Sequence, residues 1–434
     1  MKTLIVDDLP PEACAMLQAL YSRSPDSVEQ HIVKVAERGA GAFMGSYYVG
    51  YGHKSIGDCG TTTIFIEGVS LLAAKAIQDW PLYNGQEAST RYLNMEMRPC
   101  INPFVTSQTQ SLLQRTMEFY SYLMPQLTKQ LSYQHPQKRG ENETTWKKAV
   151  RARAFDIARG FLPAGVTTNL SWHTNLRQAN DHLKQLRHHP LQEVRYIAHQ
   201  ILSDLRVKYE SSFLHKEYEE EERWLSECSG LTYRYVEDHG FFANNFTNEY
   251  YRDFYITELA NRPAKAEFPS CVRMIGDVHF NIPIDFGSYR DLQRHRSCVQ
   301  EMPLLTIKQG FHSWYLDQIE EGPVKNAVYH FLDEWTRDFQ CSIEEFGISQ
   351  DDRQYYVLMG FKVVVPMRCN LPAAVYIAEL RSGPHVHPTL RQQAQKMGQW
   401  LKSTFPELAM YHDMSEDAWT IERGNQDIVE RTTE

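Results

Sequence analysis

Apolar residues along this chain of 434 follow two periods, one typical of strands and the other of helices. A β-branched run at 61–66 predicts a strand, and the residues that follow, 69–77, have the composition of a helix. That helix leads to the triplet Gln78-Asp79-Trp80. Apolar positions at three- and four-residue spacing predict longer helices, which lie at 107–134, 193–209 and 314–346, the last with a break at Gly322-Pro323.

The order of strand, helix and triplet occurs a second time. Residues 278–284 predict the strand, residues 288–293 predict the helix, and Arg294-His295-Arg296 forms the triplet, at an offset of 216 (294 minus 78). A second pair of related segments follows, at 158–187 and 353–381, where Asn175 and Asn370 give an offset of 195 (370 minus 175). Two repeats in the same order indicate a duplication.

The length and the repeats together predict the fold class. A chain in which 42% of the residues are hydrophobic can bury one large core or two of ordinary size. We expect an α+β fold with two domains in tandem, each a small antiparallel sheet flanked by long helices. The boundary is predicted in the polar segment between Tyr218 and Tyr233, which gives domains at 1–218 and 230–434.

Charge and cysteine content exclude several classes of protein. The net charge of -9 and the pI near 6.0 argue against a general nucleic-acid binder, which would present a basic face. The eight cysteines form no Cys-x-x-Cys pair, so we expect reduced thiols in a cytoplasmic protein rather than disulfides or a zinc site. The N-terminus lacks the apolar segment of a secretory signal, and no apolar run approaches the roughly 20 residues that span a bilayer.

Three polar motifs carry the candidate chemistry. The first half holds Gly52-His53-Lys54-Ser55-Ile56, with Asp58 shortly after it, and then Gln86-Glu87-Ala88-Ser89-Thr90-Arg91-Tyr92; the second half holds Arg294-His295-Arg296. These segments resemble the signature motifs of flavin-dependent thymidylate synthases, the ThyX family. The chain departs from the family's Gly-His-x-Ser/Thr-Pro-Phe-Glu segment at Ile56 and Gly57.

Neither half holds the complete family set. The first half keeps the Glu-x-Ser-x-Arg-Tyr loop but has Gln78-Asp79-Trp80 where the family has Arg-His-Arg, and the second half keeps Arg-His-Arg but has 300–303 in place of the loop. The family's Ala-Arg-x-x-Leu-Pro stretch is intact at 158–163 and absent from 353–358. Conversely, the family's Asn, Arg and His spacing is met in the second half, by Asn370, Arg381 and His385.

The resemblance implies an activity and a set of site residues. It implies C5 methylation of dUMP to dTMP with methylenetetrahydrofolate and NADPH, on an FAD cofactor. The implied substrate-binding residues are Glu87, Ser89, Thr90, Arg91, Arg159, Arg294 and Arg381, of which Arg294 and Arg381 are also the catalytic candidates. The implied flavin-binding residues are His53, Ser55, Asp58, Arg294, His295, Arg296, Asn370 and His385.

Elementary chemistry agrees with these residue types. A nucleotide phosphate is a dianion that a planar guanidinium can bind bidentately, which makes Arg91 and Arg159 the phosphate candidates. Arg294 and Arg381 would face the uracil carbonyl oxygens, where negative charge develops when hydride adds to the ring. His385 and His387 could form a metal pair, but no third ligand cluster accompanies them in the sequence, so we expect no metal.

The division of motifs has a physical interpretation if the ancestral site lay between subunits. ThyX enzymes are tetramers whose nucleotide contacts two subunits, so a fused chain needs one copy of each motif, and a homodimer of fused chains would mimic the tetramer. This predicts one flavin and one nucleotide per chain. Three alternatives stay open: an enzyme acting on another pyrimidine nucleotide or forming another one-carbon product, a flavin- or nucleotide-binding protein without turnover, and an arrangement in which neither site is whole.

Overall fold

The computed structural model describes residues 3–91, 93–231, 234–237 and 240–426. Tyr92 of the loop motif therefore lies outside the described residues. The helices are α1 Pro11–Tyr21, α2 Val28–Arg38, α3 Gly41–Phe43, α4 Lys54–Gly57, α5 Leu71–Gln78, α6 Ser107–Gln134, α7 Glu143–Ala158, α8 Leu176–Leu186, α9 Gln192–Lys208, α10 Glu219–Ser229, α11 Glu249–Phe254, α12 Ile256–Asn261, α13 Phe286–Leu292, α14 Ser313–Asp317, α15 Pro323–Phe346, α16 Gln350–Arg353, α17 Leu371–Arg381 and α18 Pro388–Thr404. The strands are β1 Thr61–Ser70, β2 Asn84–Glu87, β3 Thr167–Asn175, β4 Phe242–Thr247, β5 Gly276–Asp285, β6 Cys298–Gln300 and β7 Lys362–Asn370.

The chain has a mixed helix and strand fold with two small antiparallel sheets, as the sequence predicts. It forms two compact units that are discontinuous along the chain. The first unit comprises 1–69, 73–87 and 168–233, and the second comprises 70–72, 88–167 and 234–434. These units are defined by packing, and the duplicated domains at 1–218 and 230–434 stay a prediction.

The first unit holds a three-stranded sheet in the order β1-β3-β2. Strand β2 pairs antiparallel with β3, so that Gly85 lies opposite Trp172. The Trp172 side chain is fully buried, and α8 carries its apolar residues Leu176 and Leu183 into the same core. Strand β1 is longer than predicted, because it continues through Gly68, whose φ of +70° is a conformation that glycine adopts without strain.

The second unit holds a four-stranded sheet in the order β4-β5-β7-β6. All of its pairings are antiparallel along the registers that the structure describes. Alternate residues of β5 are completely buried, which is the period of two that gives a strand one core-facing side: these are Val278, Phe280, Ile282 and Ile284. The helix predicted at 314–346 is confirmed as α14 and α15, separated at Gly322-Pro323, and the helix predicted at 107–134 is confirmed as α6.

Element bounds repeat between the two halves. Strands β3 and β7, and helices α8 and α17, begin and end at an offset of 195 (362 minus 167, and 371 minus 176). Asn175 and Asn370 cap the two helices in the same way, since each side-chain oxygen accepts a hydrogen bond from a backbone N–H three residues on, at 2.8 and 3.0 Å. The offset read from the sequence is therefore also the structural one.

The earlier repeat has a structural offset of 215, one less than the sequence indicated. Strands β1 and β5 begin at 61 and 276 and end at 70 and 285. Trp80 is therefore the counterpart of His295, and Asp79-Trp80-Pro81, not Gln78-Asp79-Trp80, corresponds to Arg294-His295-Arg296. Strand pairing agrees with this correction, because Asn84 lies opposite His173 and its counterpart Val299 lies opposite Arg368, at offsets of 215 (299 minus 84) and 195 (368 minus 173).

Two related segments inside the second unit pair with each other around a local two-fold axis. Ala164 donates its backbone N–H to Val357 at 2.9 Å, and the equivalent bond, from Met359 to Leu162, is 2.8 Å long. Pro163 lies opposite Leu358, its own counterpart at offset 195. Reciprocal bonds between equivalent positions are the pattern of a two-fold interface, so the segments meet as two subunits would.

The segment predicted as a domain boundary forms a helix, α10, rather than an irregular linker. Its four leading glutamates suit the positive end of the helix dipole. Within the first unit, α10 is held by α8, since Lys184 pairs with Glu221 at 3.1 Å and Arg187 with Glu222 at 2.9 Å.

Candidate active site

Four predicted arginines belong to the second unit, and local structure explains the position of each. Arg91 follows the loop after β2, and Arg159 lies in a 3-10 turn directly after α7. Arg294 follows the end of α13, and Arg381 is the last residue of α17. Two of these positions derive from the first half of the sequence and two from the second, so one compact unit contains both parts of the divided motif set.

Arg91 is held from two sides. Its Nε lies 3.1 Å from Oδ1 of Asp156, and its Nη2 donates to the backbone oxygen of His385 at 3.0 Å. The Asp156 carboxylate is completely buried and also pairs with Arg423. Burial opposes ionisation of this carboxyl, yet Arg423 and Arg91 hold the pKa of Asp156 far below its ordinary value. The Arg91 side chain stays 15% exposed, so its guanidinium is positioned and still accessible.

Arg159 is buried among polar partners. Its Nη2 donates to the Ser288 hydroxyl at 2.8 Å, while its Nε has no hydrogen-bond partner among the described residues. Ser288 also contacts His387, at 3.1 Å, and Thr389. His387 is buried in this network, which lowers its pKa well below the ordinary value and keeps the imidazole neutral. Hydrogen bonds to Ser288 and Thr389 account for the buried His387 side chain without a bound metal ion.

One carboxylate, Asp291, lies in the combined field of the four arginines. Burial alone would raise the pKa of the Asp291 carboxyl. The positive charges of Arg91, Arg159, Arg381 and Arg294 lower it by more, so this pKa lies below its ordinary value. Arg294 Nε lies 3.9 Å from the Asp291 Oδ1 atom. Asp156, Asp285 and Asp291 supply three negative charges near the five guanidinium groups of Arg91, Arg159, Arg294, Arg381 and Arg423, which leaves an excess of positive charge that an anionic ligand can neutralise.

His295 is neutral and oriented. Burial lowers its pKa to about 3, with a further contribution from Arg381. Arg381 donates from its Nε to His295 Nε2 at 2.8 Å, which assigns the ring proton to Nδ1. The ring also meets Tyr376 edge to face, with ring centroids 5.9 Å apart. His295 thus fixes the Arg381 guanidinium on one side.

Contacts inside the second unit join the two sets of motif residues. Thr90, which is buried, accepts a bond of 3.4 Å from Arg290, four residues before Arg294. The Ser89 hydroxyl accepts from the Arg91 backbone N–H at 3.2 Å, which shapes the loop. Arg296 is half-buried. Loop and Arg-His-Arg segment are therefore neighbours, as complementation between the halves requires.

The remaining predicted residues lie in the first unit. His53 precedes α4 and stacks on Tyr51 with ring centroids 6.1 Å apart, and Ser55 is exposed on α4. The Asp58 carboxylate accepts a 2.6 Å bond from Arg177 Nε of α8. Glu87, at the end of β2, accepts from Gln78 at 2.7 Å.

In the second half of the chain, position 354 corresponds to Arg159. Gln354 is the counterpart of Arg159 at offset 195 and is completely buried. Its Oε1 accepts the backbone N–H of Leu305 at 3.0 Å, and Leu305 is the counterpart of Thr90 at offset 215. A neutral side chain bonded to the loop backbone thus stands where the other copy has a guanidinium.

A cavity of about 790 Å³ lies beside these residues in the second unit. Its walls include Asn370, Tyr376 and Ser297, the residue after Arg296. Ligand pockets in proteins typically measure about 300 to 1,000 Å³. The cavity therefore has room for a large aromatic ligand next to the Arg-His-Arg segment.

Several members of the site were not predicted from the sequence. Asp156 and Asp291 compensate the arginines, Ser288 binds Arg159, and Arg423 comes from the C-terminal segment. Acidic residues inside helices give no motif signal. Only their three-residue spacing from Arg159 and Arg294 could have identified them, and that spacing is common in solvated helices.

Fold and site together define a two-sheet protein with a cluster of arginines, of which Arg159 is buried and Arg294 is exposed. Residues 4–209 match the Thy1 family, thymidylate synthase complementing protein, and this similarity confirms the resemblance to ThyX over the first half of the chain. The match links the chain to thymidylate synthase-related nucleotide chemistry.

Three relatives extend the similarity over most of the chain. A UPF0159 protein of Chlamydia muridarum is 26% identical over 408 residues, which is 80% of this chain and 76% of the relative. A UPF0159 protein of Chlamydia pneumoniae is 25% identical, over 79% and 74%. A UPF0159 protein of Thermoplasma acidophilum is 23% identical, over 91% and 93%. The relatives thus match both halves in one chain.

Two further findings concern the described residues. None of the helices in that part of the chain combines the length and apolar character needed to cross a bilayer. The same residues bring together no group of three or more His, Cys, Asp and Glu side chains able to hold a metal ion.

Proposed function

We propose that this protein is a flavin-dependent thymidylate synthase-like enzyme that methylates C5 of dUMP, with methylenetetrahydrofolate as the one-carbon donor and NADPH as the reductant. The observation that carries the proposal is the meeting of Arg91 and Arg159, from one half, with Arg294 and Arg381, from the other, in a single compact unit. A predicted homodimer of such chains would contain two sites of this kind.

Arg91 binds the nucleotide phosphate in this proposal. Its guanidinium is accessible, and Asp156 and the His385 carbonyl fix its direction, so little side-chain entropy is lost when the phosphate arrives. Arg159 supports the phosphate site through Ser288, and Ser89 supplies a hydroxyl. The excess of positive charge around Asp291 attracts the dianion before contact.

Arg294 and Arg381 act on the pyrimidine ring. Both would donate to carbonyl oxygens that gain negative charge in the transition state, which stabilises that state more than the ground state. The bond from Arg381 to neutral His295 holds one guanidinium in place without adding a competing charge. Each preorganised donor of this kind contributes about 3 to 4 kcal/mol in known oxyanion sites.

The residues of the second unit fit a flavin. The cavity of about 790 Å³ offers aromatic walls, the Asn370 amide and a border at the Arg-His-Arg segment. When bound, the flavin supplies hydride and one-carbon transfer chemistry. The protein's own part is to orient the ring through His295, Asn370 and His385 and to keep bulk water from the pyrimidine.

Rescue of a thymidine auxotroph tests the proposal in cells. Product analysis tests it in vitro: the purified protein is incubated with dUMP, methylenetetrahydrofolate, NADPH and FAD, and dTMP is measured against a matched Arg294→Ala, Arg381→Ala double variant. Growth without thymidine and dTMP formation by the wild type alone are expected. Absence of dTMP with turnover of another pyrimidine nucleotide would assign the site to that nucleotide and overturn dUMP as substrate.

A further inference from the structure

Three residues that line the large cavity of the second unit have counterparts in the first unit that pair with one another. In the first unit, Asp58 accepts from Arg177 at 2.6 Å, and Arg177 also lies 3.7 Å from Asp181. These three side chains form an ion-pair network between the turn before β1 and helix α8. Two carboxylates share one guanidinium here, so the network offers no free positive charge to an anionic ligand.

The equivalent positions of the second unit lack this network. Offset 215 relates Asp58 to Arg273, while offset 195 relates Arg177 to Pro372 and Asp181 to Tyr376. All three replacements line the cavity of about 790 Å³. An arginine stands in place of the first acid, a short proline in place of the guanidinium, and an aromatic ring in place of the second acid. The substitutions both open the volume and reverse its charge.

Two cations border the cavity without protein partners. Neither the Arg273 nor the Lys265 side chain has a hydrogen bond or an ion pair with any other described residue, and both are exposed. Glu267 is the exposed acid of the same loop. In a chain of net charge -9, two unpaired cations at one cavity are a local reversal of the overall balance.

The loop that carries Lys265 is held in place. Arg262, itself buried, pairs with Glu379 of α17, and its guanidinium lies over the rings of Phe268 and Tyr411, 4.8 and 5.3 Å from their centroids. Lys265 has a φ of +67°, a left-handed conformation that costs a non-glycine residue about 1 kcal/mol or more. The anchored loop therefore presents Lys265 at the cavity in a fixed, strained conformation.

We propose that Arg273 and Lys265 bind the phosphate groups of a dinucleotide flavin whose ring system occupies the cavity, and that the first unit has closed its own copy with the Asp58–Arg177–Asp181 network. The chemistry recognised is a planar aromatic ring joined to a flexible anionic tail. This inference rests on the proposed function, and it explains why each chain would take one flavin rather than two.

Flavin titration of the apoprotein tests the assignment. Binding of FAD and of riboflavin, which lacks phosphate, is followed by quenching of flavin fluorescence, for the wild type, Arg273→Ala and the control Arg337→Ala on the exposed surface of α15. The wild type and the control should bind FAD at least about 10-fold more tightly than riboflavin. Arg273→Ala should lose about 10-fold in FAD affinity and keep its riboflavin affinity.

A second variant places the Asp58–Arg177 ion pair of the first unit at the equivalent positions of the cavity. Arg273→Asp combined with Pro372→Arg recreates the pair of the first unit, so flavin binding should be abolished while thermal unfolding stays cooperative at an unchanged or higher temperature. Retained FAD binding in this folded variant would overturn the inference, as would an Arg273→Ala effect on tetrahydrofolate polyglutamate instead of FAD. A wild type that binds no flavin would refute the proposed function itself.

Discussion

Replacement of Arg91 by alanine is the most informative single perturbation of the proposed phosphate site. Its guanidinium lies 3.1 Å from Asp156 and 3.0 Å from the His385 carbonyl, and 15% of the side chain is exposed. Loss of one charge-assisted bond to a phosphate removes about 1.5 to 3 kcal/mol, which corresponds to roughly 10- to 100-fold weaker dUMP binding. Arg91→Lys should fall between wild type and alanine, because it keeps the charge without the planar fork.

The same change also affects folding, and the two effects can be separated. Breaking a buried ion pair costs about 3 to 5 kcal/mol, but Asp156 keeps Arg423 as a partner, so we expect a loss in the free energy of unfolding below about 3 kcal/mol. Calorimetric titration with dUMP is therefore performed well below the unfolding temperature, with Arg337→Ala as the matched control. Unchanged dUMP affinity in a folded Arg91→Ala protein would refute the phosphate role.

Three further predictions concern individual side chains. Arg159→Ala should weaken dUMP binding about 10- to 100-fold. It should also lower the melting temperature, because Ser288 loses a buried hydrogen-bond partner, while the flavin content measured by absorbance should change little. His295→Ala should mainly release flavin, seen as loss of the yellow colour on gel filtration, and an equal loss of dUMP binding would argue against separate roles. Burial lowers the pKa of His182 to about 4, so below pH 6.5 the unfolded chain binds a proton at this residue and the folded chain does not. The free energy of unfolding should therefore fall by about 1.4 kcal/mol per pH unit for this residue as the pH drops from 6.5 toward 4. Urea unfolding of His182→Asn should show a smaller dependence on pH.

The repeated elements were predictable because their signals are local. The β-branched run at 61–66 and the long amphipathic helices each carry their own periodicity, and the offset of 195 survives in the bounds of β3, α8, β7 and α17. The triplet register was wrong by one residue, because Gln78-Asp79-Trp80 shares no residue type with Arg294-His295-Arg296 and only the strand bounds align the two segments. The strand was predicted to end at residue 66, whereas β1 continues through Gly68, which adopts a positive φ.

The site was predictable only where residue types form a motif. Arg91, Arg159, Arg294 and Arg381 were found by spacing, whereas the carboxylates that compensate them depend on tertiary contacts that the sequence does not encode locally. The same holds for the packing units. Residues 88–167 pack with the second half of the chain, and this could not be inferred from a linear boundary between Tyr218 and Tyr233.

The central claim is that the two halves form one composite site per chain. Calorimetric titration of dUMP into the oxidised holoprotein, with flavin content measured on the same sample, tests it most directly. Gln354 and the Asp58–Arg177 pair occupy the second copies of the arginine and flavin positions, so we expect one dUMP and one flavin per chain. A stoichiometry near two for either ligand would contradict the account.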